Sequence, residues 1–322
     1  MSVGGDLVSI LVPVFNGEQF IDRTLDSLLA QTHRNFEIVV VDDGSTDGTP
    51  AILTARAKAD SRIRIFYTER KGPPGARNHA ARQASGDFIA PCDSDDLWHP
   101  QKLDLQLAAL RTASPDVGVS YCWSVGVNEY DEVILPSWSR NHAEGYVLEE
   151  SIVDSLTGSG SVILVRRSCF EAAGGFPEDI FHGDEWQICI SLADICEFAL
   201  VREYLVGYRL RRDSTSANYL AVEESLARST HWITSRWPKI SKATLRKRAY
   251  TVNSYLAFVA LRSSHLGIAV GYQLQAFASS PGRIISFAPI RFYFLFWGQV
   301  FGVGRYYWRF WRAPRRWEPQ PR

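Results

Sequence analysis

The sequence predicts an α/β protein in which helices flank a mainly parallel central sheet, with a helical extension toward the C-terminal end. Three observations predict it. Short, largely apolar runs recur, as expected of strands buried on both faces. Helical segments separate them, the alternation of βαβ units with right-handed crossovers. From about Ala221 to Ser280 the pattern is helical throughout.

In order, Val8 to Val12 (VSILV) is the first strand. Asn16 offers an N-cap, with Gln19 completing a capping box. The helix behind it sets Phe20, Ile21, Leu25, Leu28 and Leu29 on one stripe. Phe36 to Val41 (FEIVVV) is the second strand, followed by the turn-rich Asp42 to Thr49 and a helix over Pro50 to Ala59. Ile63 to Tyr67 is the third strand. GPPGARNHAARQA, from Gly72, reads as a loop entering an Ala-rich helix, and Asp87 to Ala90 as the fourth strand. Beyond it the pattern predicts a helix over His99 to Arg111 and strands over Val117 to Trp123, Val125 to Leu135 and Ser161 to Val165. A tight turn at Gly174 to Pro177, a helix over Asp184 to Ala193, and short strands over Phe198 to Val201 and Leu205 to Leu210 follow.

With 322 residues, 46% of them hydrophobic, the chain can bury a large core. Lys+Arg equals Asp+Glu at 35 each, and that neutrality argues against nucleic acid as a partner. Cys92, Cys122, Cys169, Cys189 and Cys196 have no CxxC spacing and read as reduced, buried thiols of a cytosolic protein. The start, MSVGGDLVSI, lacks a basic region and a long apolar run, so no signal peptide is expected.

Ligands of such sheets bind at the carboxyl ends of the strands, and the polar clusters lie there. Asp93, Asp95 and Asp96 directly follow an apolar strand. Hard cations such as Mg²⁺ or Mn²⁺ favour such carboxylates together with substrate phosphates; the plain alternative is a solvated loop capping the next helix. Of Asp42 and Asp43, one suits an Asx-turn and the other could accept from a base N–H. Arg77-Asn78 sits at a helix start, where the Arg fork suits phosphate or a base. Asp184-Glu185-Trp186 follows His182-Gly183 and offers either a general base or a helix cap. Tyr208 to Ser214 (YRLRRDS), with Arg209 and Arg212, is either a phosphate contact or a solvated loop.

Together these stretches resemble the inverting family 2 glycosyltransferases of the GT-A fold, over roughly Leu7 to Ala217. The residues that carry the resemblance are VSILVPVFNGEQFIDRTLDSLLAQT, FEIVVVDDGSTDGT, GPPGARNHA, GDFIAPCDSDDLWHP, GGFPEDIFHGDEWQICISLA and YRLRRDSTS. The resemblance implies a nucleotide-diphospho-sugar donor, with UDP favoured, and a glycan or lipid-linked acceptor hydroxyl. It places Pro13, Asp43, Arg77 and Asp93 around the nucleotide and Asp95 or Asp96 nearest Mg²⁺ or Mn²⁺. Trp186, Arg209 and Arg212 fall on the acceptor or phosphate side. The family's base is the aspartate of a Glu-Asp pair before Trp. Here the pair is inverted, so Glu185 matches the base and Asp184 is left as the cap. The same inversion leaves room for a non-catalytic sugar-nucleotide or glycan-binding module. A sugar-1-phosphate nucleotidyltransferase would carry a Gly-rich loop after the first strand, where this chain has PVFNGE.

The implied organisation is a catalytic domain over 1–218, with a donor half (1–100) and an acceptor half (101–218), a helical extension over 219–283 and a tail over 284–322. The uncharged run from Phe292 to Gly304 is shorter than the ~20 residues that span a bilayer. Aromatics there, interleaved further on with six arginines between Arg305 and Arg322 against Glu318 alone, fit an anionic membrane surface. The expected location is cytoplasmic, peripheral at the inner face of the cell membrane.

Overall fold

The computed structural model describes residues 6–211, 218–281 and 315–316. It divides into two compact units: Met1–Ser151 with Ser155–Leu210 and Arg316–Arg322, and Ile152–Asp154 with Arg211–Arg315.

The first unit is built on a sheet. Its strands are β1 (Val8–Val14), β2 (Phe36–Asp42), β3 (Ile63–Tyr67), β4 (Phe88–Pro91), β5 (Leu97–Trp98), β6 (Val117–Val127), β7 (Glu132–Ser139), β8 (Ile163–Arg166), β9 (Glu197–Arg209) and β10 (Arg315–Arg316). The helices of this unit are α1 (Ile21–Leu29), α2 (Thr49–Ala59), α3 (Gly72–Gln83), α4 (Lys102–Thr112), α5 (Leu148–Val153), α6 (Arg167–Ala172) and α7 (Asp184–Ala193). The order is β10-β7-β6-β8-β4-β1-β2-β3, with β9 beside β6 and β5. β1, β2, β3 and β4 run parallel. β1 and β2 are mostly apolar, as strands buried on both faces are, and every residue in them is buried, whereas β3 is largely half-buried. β8 then enters antiparallel between β4 and β6, while β9 pairs with β6 in parallel. β5 pairs antiparallel with β9 and so returns the acidic loop after β4 to the second half of the sheet.

Four expectations need correction. Asn16 is not the cap of α1. That helix begins at Ile21 without a side-chain cap, and the Gly17 carbonyl accepts from Phe20 and Ile21 instead. Asn16 has φ +49, a conformation Asn tolerates, and its side chain accepts from Thr46 N–H at 2.8 Å. The run expected over Val125 to Leu135 is broken by a turn in which Asn128 Oδ1 accepts from the N–H groups of Tyr130 and Glu132. The two short strands at Phe198 and Leu205 are one 13-residue strand; register shifts opposite Cys122 and Trp123 absorb the polar Arg202-Glu203 in its middle. The strand expected from Ser161 starts at Ile163, behind a 3-10 turn over Gly160–Val162.

At the end of the sheet where β1 and β2 begin, Glu37 ties three elements. It accepts from Ser9 Oγ (2.8 Å), Arg64 Nη1 (2.6 Å) and Ser85 N–H (2.5 Å). Gly86 N–H in turn donates to Ser9 Oγ. A Cβ on Gly86 would stand 2.5 Å from the Leu7 carbonyl oxygen, so only glycine lets the chain cross there.

The second unit holds α8 (Tyr219–Arg236), α9 (Lys242–Arg262) and α10 (Leu266–Ser279). Asn218 caps α8 and Ser241 caps α9. Inside it the buried Arg248 donates to Ser229 Oγ (2.8 Å) and Thr230 Oγ1 (3.1 Å), and burial lowers its pKa to about 10. Among the described residues no helix is long and apolar enough to cross a membrane. Apart from Arg315–Arg316, the tail over 284–322 lies outside the described residues.

Burial pushes the Glu37 carboxyl up, but its bonds from Ser85, Arg64 and Ser9 outweigh that and hold it below the usual value. Stability from this group is therefore present above pH 4.5 and lost as the pH falls through its depressed pKa. Glu37→Gln should cost about 2 kcal/mol in a neutral urea titration, and the gap to wild type should close in acid. A variant as stable as wild type at neutral pH would show that this network holds nothing.

Candidate active site

The loops behind β1 and β2 interlock. Asn16 N–H donates to Ser45 Oγ (2.9 Å), Gly17 N–H to Thr49 Oγ1 (2.8 Å) and Gly48 N–H to Glu18 (2.6 Å). Asp42 makes the local turn, accepting from Ser45 N–H. Asp43 reaches the next crossover. Its carboxylate accepts from Thr68 Oγ1, Lys71 N–H and Gly72 N–H, each at 2.8 Å. These bonds fill three of the roughly four acceptor positions of a carboxylate. Gly72 is required here, because φ is +77 and a Cβ would strike the Phe181 ring. Pro13 is buried near the end of β1. Just beyond it, Phe15 is 40% exposed, with the Arg70 guanidinium 3.1 Å from its ring centroid. This flat face was missed from sequence; its one signal is an aromatic side chain directly behind an apolar strand.

Helix α3 begins on Gly72 with prolines in its first turn, which puts Arg77 and Asn78 on its buried side. Arg77 is 4% exposed. Its Nη2 donates to Asp93 Oδ1 (2.5 Å) and its Nη1 to Asp184 Oδ2, with the Phe176 ring beside it. Burial alone would lower its pKa, but the charges of Asp184, Asp93 and Glu185 prevail and raise it. Both ends of the Arg77 fork are engaged by carboxylates in this structure. Asn78 binds the Gly175-Phe176 turn, donating to the Phe176 carbonyl (2.8 Å) and accepting from its N–H (2.9 Å).

The acidic loop divides its charges. Asp93 pairs with Arg77, and its N–H donates to Ser161 Oγ. Asp93 and Asp95 are partly exposed. Asp96 is fully enclosed; it accepts from Arg209 N–H (2.9 Å) and Ser159 Oγ (3.4 Å). Burial, then Asp93 and Asp95, push its pKa well up. Asp96 is thus turned toward the protein, and Asp93 and Asp95 are the partly exposed carboxylates of the loop. Among the described residues there is no ready group of three ligating side chains. Two partly exposed carboxylates fit a hard cation that completes its shell on substrate phosphates.

Gly183, in the left-handed conformation, starts α7 and sets Asp184 and Glu185 in its first turn. Asp184 makes no side-chain cap; it is the second partner of Arg77. Glu185 is partly exposed. A Cβ on Gly160 would lie 3.6 Å from the Glu185 Cβ, so glycine keeps that wall low. Burial, reinforced by the charge and hydrogen bond of Asp184, pushes the Glu185 carboxyl up to about 8.

Two more of the expected residues are tied to the protein itself. Trp186 is buried and its Nε1 donates to the Ser151 carbonyl. The Arg209 side chain is fully enclosed, donating to the Asp95 and Asn128 carbonyls and to Asp131, with the Phe20 ring beside it. Arg212 lies outside the described residues.

A parallel first half joined to a mixed second half, with a carboxylate-lined loop behind β4 and a carboxylate at the start of α7, is the arrangement of the GT-A type. The chain belongs to glycosyl transferase family 2, whose family model matches residues 9–172. It is 44% identical over 105 residues to the Escherichia coli UDP-Glc:alpha-D-GlcNAc-diphosphoundecaprenol beta-1,3-glucosyltransferase WfgD, covering 32% of this chain and 41% of that one. The chain spans less than half the length of the first curated relatives it matches, 30% for an uncharacterised Rickettsia felis glycosyltransferase. In fold it resembles Staphylococcus aureus TarS in complex with UDP-GlcNAc, with a TM-score of 0.56 and 18% identity over 84% of this chain and 88% of that one. It also resembles a Pyrobaculum calidifontis mannosyltransferase in complex with GDP-Man and Mn²⁺, with a TM-score of 0.59 and 20% identity over 93% and 86%.

Arg77→Met should destabilise the protein by about 3–5 kcal/mol in urea, since it strands two carboxylates in a buried site. A loss under about 1 kcal/mol would mean that the three groups are not held as an ion triad.

Proposed function

We propose that this glycosyltransferase moves a sugar from a UDP-sugar to a hydroxyl of a glycan or lipid-linked acceptor by one inverting displacement. The observation that carries the reading is the Arg77 triad. One buried cation holds Asp93, at the donor loop, and Asp184, whose neighbour Glu185 is the partly exposed carboxyl with a raised pKa.

The base of the nucleotide would lie against Phe15 and Arg70, with Asp43 giving its remaining acceptor position to a base N–H. Asp95, next to Asp93, would hold Mg²⁺ or Mn²⁺. When bound, such a cation supplies charge neutralisation for the leaving diphosphate. Glu185 takes the proton of the acceptor hydroxyl as that oxygen attacks the anomeric carbon from the face opposite the nucleotide. A carboxyl poised near the working pH is suited to that task, and inversion follows from a single displacement. The donor and acceptor named for WfgD support UDP and a lipid-linked acceptor, and the Mn²⁺ in the mannosyltransferase complex supports a divalent cation. The arginines and aromatics of the tail support a peripheral place at the anionic inner face of the cell membrane.

Glu185→Gln should abolish transfer while UDP affinity, read by calorimetry, stays within about twofold. In wild type, kcat/KM should rise with pH by about tenfold per unit and level off near 8, as Glu185 loses its proton. A profile flat across that range, or transfer by the Gln variant, would remove Glu185 as the base.

Asp95→Asn should lower turnover by about 100-fold or more without changing the melting temperature, and excess EDTA should do the same to wild type. Full activity in EDTA would contradict the cation site.

A further inference from the structure

The site described above uses none of the five cysteines, and all five are free thiols. Three of them are shut away. Cys92, Cys122 and Cys189 are buried, and burial raises each of their pKa values. The other two meet. Cys169 lies on α6 and is partly exposed, whereas Cys196, in the turn between α7 and β9, is 4% exposed. Their sulfurs converge on the space left by a missing side chain. A Cβ on Gly118 would come within 2.6 Å of Cys196 Sγ and closer still to Cys169 Sγ.

We propose that Cys169 and Cys196 form a thiol modification site at which a peroxide-class oxidant makes a disulfide. Cys169 is the attacking sulfur. It is the more exposed of the two, and its neighbours Cys196 and Ser168, with the charge of Arg166, bring its pKa down to about 6 against the opposing effect of burial. It therefore carries thiolate character at neutral pH and is open to a small solute. Cys196 keeps its proton, which it donates to the Leu192 carbonyl (3.3 Å), and the neighbouring Cys169 sulfur and burial raise its pKa. In the first step the Cys169 thiolate attacks one peroxide oxygen, the O–O bond breaks, and a sulfenic acid forms as hydroxide leaves and is protonated to water. In the second, the Cys196 sulfur attacks the Cys169 sulfur, the S–O bond breaks, and the departing hydroxide takes the Cys196 proton as water. Two thiols and one hydrogen peroxide give one disulfide and two waters. The ring so closed contains the Gly174-Gly175 turn, Asp184 and Glu185, so the bond joins both stems of the segment at the start of α7.

The test is to treat the folded, full-length protein with a small excess of hydrogen peroxide, quench, and count thiols after denaturation, with intact and non-reduced peptide masses. Wild type should lose two of its five thiols and about 2 Da, with one linked peptide pair that joins Cys169 to Cys196 and is released by dithiothreitol. Cys122→Ser should behave the same way. Cys196→Ser should form no link and instead gain oxygen on Cys169, and Cys169→Ser should keep all its remaining thiols. The proposal is overturned if wild type keeps five thiols, if the link joins another pair, or if Cys169→Ser loses thiols as fast as wild type.

Discussion

Arg77 is the constraint on which the rest of the site depends. A guanidinium this deeply enclosed costs several kcal/mol of hydration, and only well-placed counter-charges make that tolerable. Asp93 comes from the loop behind β4 and Asp184 from the start of α7, 91 residues apart in sequence but joined on one side chain of α3. The remaining elements can be understood as arrangements that bring these three to one point. β5 turns the acidic loop back against β9, Asn78 draws the Gly175-Phe176 turn onto α3, and Gly183 starts α7 where Asp184 meets the guanidinium.

The same constraint explains how three aspartates can share four positions. Two like charges about 4 Å apart at an effective dielectric of about 20 cost about 4 kcal/mol. The loop does not bear that cost three times. Asp93 is neutralised by Arg77, and Asp96 is turned inward to an N–H and a hydroxyl, where burial favours its protonated form. Asp95 is left partly exposed as the charge best placed for a cation. Burial and the same crowding, through Asp184, raise Glu185, so one ion cluster joins the loop behind β4 to the carboxyl proposed as the base.

Much of this was legible in the sequence. The parallel strands were, because a strand covered on both faces is mostly apolar, with Ser9, Glu37 and Arg64 as exceptions that pair with one another, and the polar clusters behind them marked the site edge. The roles inside the clusters were less so. Arg77, Arg209 and Trp186 have side chains that bind ligands as readily as they bind protein, and only their partners in space decide; the aspartates beside Arg77 lie on other elements. Asn16 looked like a cap because caps and left-handed turns favour the same residue. Phe15 gave a weak signal, since an aromatic after a strand is most often core.

Because Arg77 joins Asp184 to Asp93, the account predicts that Asp184 acts on the donor side through that guanidinium without touching the nucleotide. The direct measurement is the calorimetric affinity of Asp184→Asn for UDP with excess Mn²⁺, in protein shown to be folded. Loss of one counter-charge should shift Arg77 toward Asp93 and weaken UDP binding by about tenfold, the size of coupling expected within one ion network. An affinity equal to wild type would contradict the account and would leave Arg77 as a structural cation with no hold on the donor site.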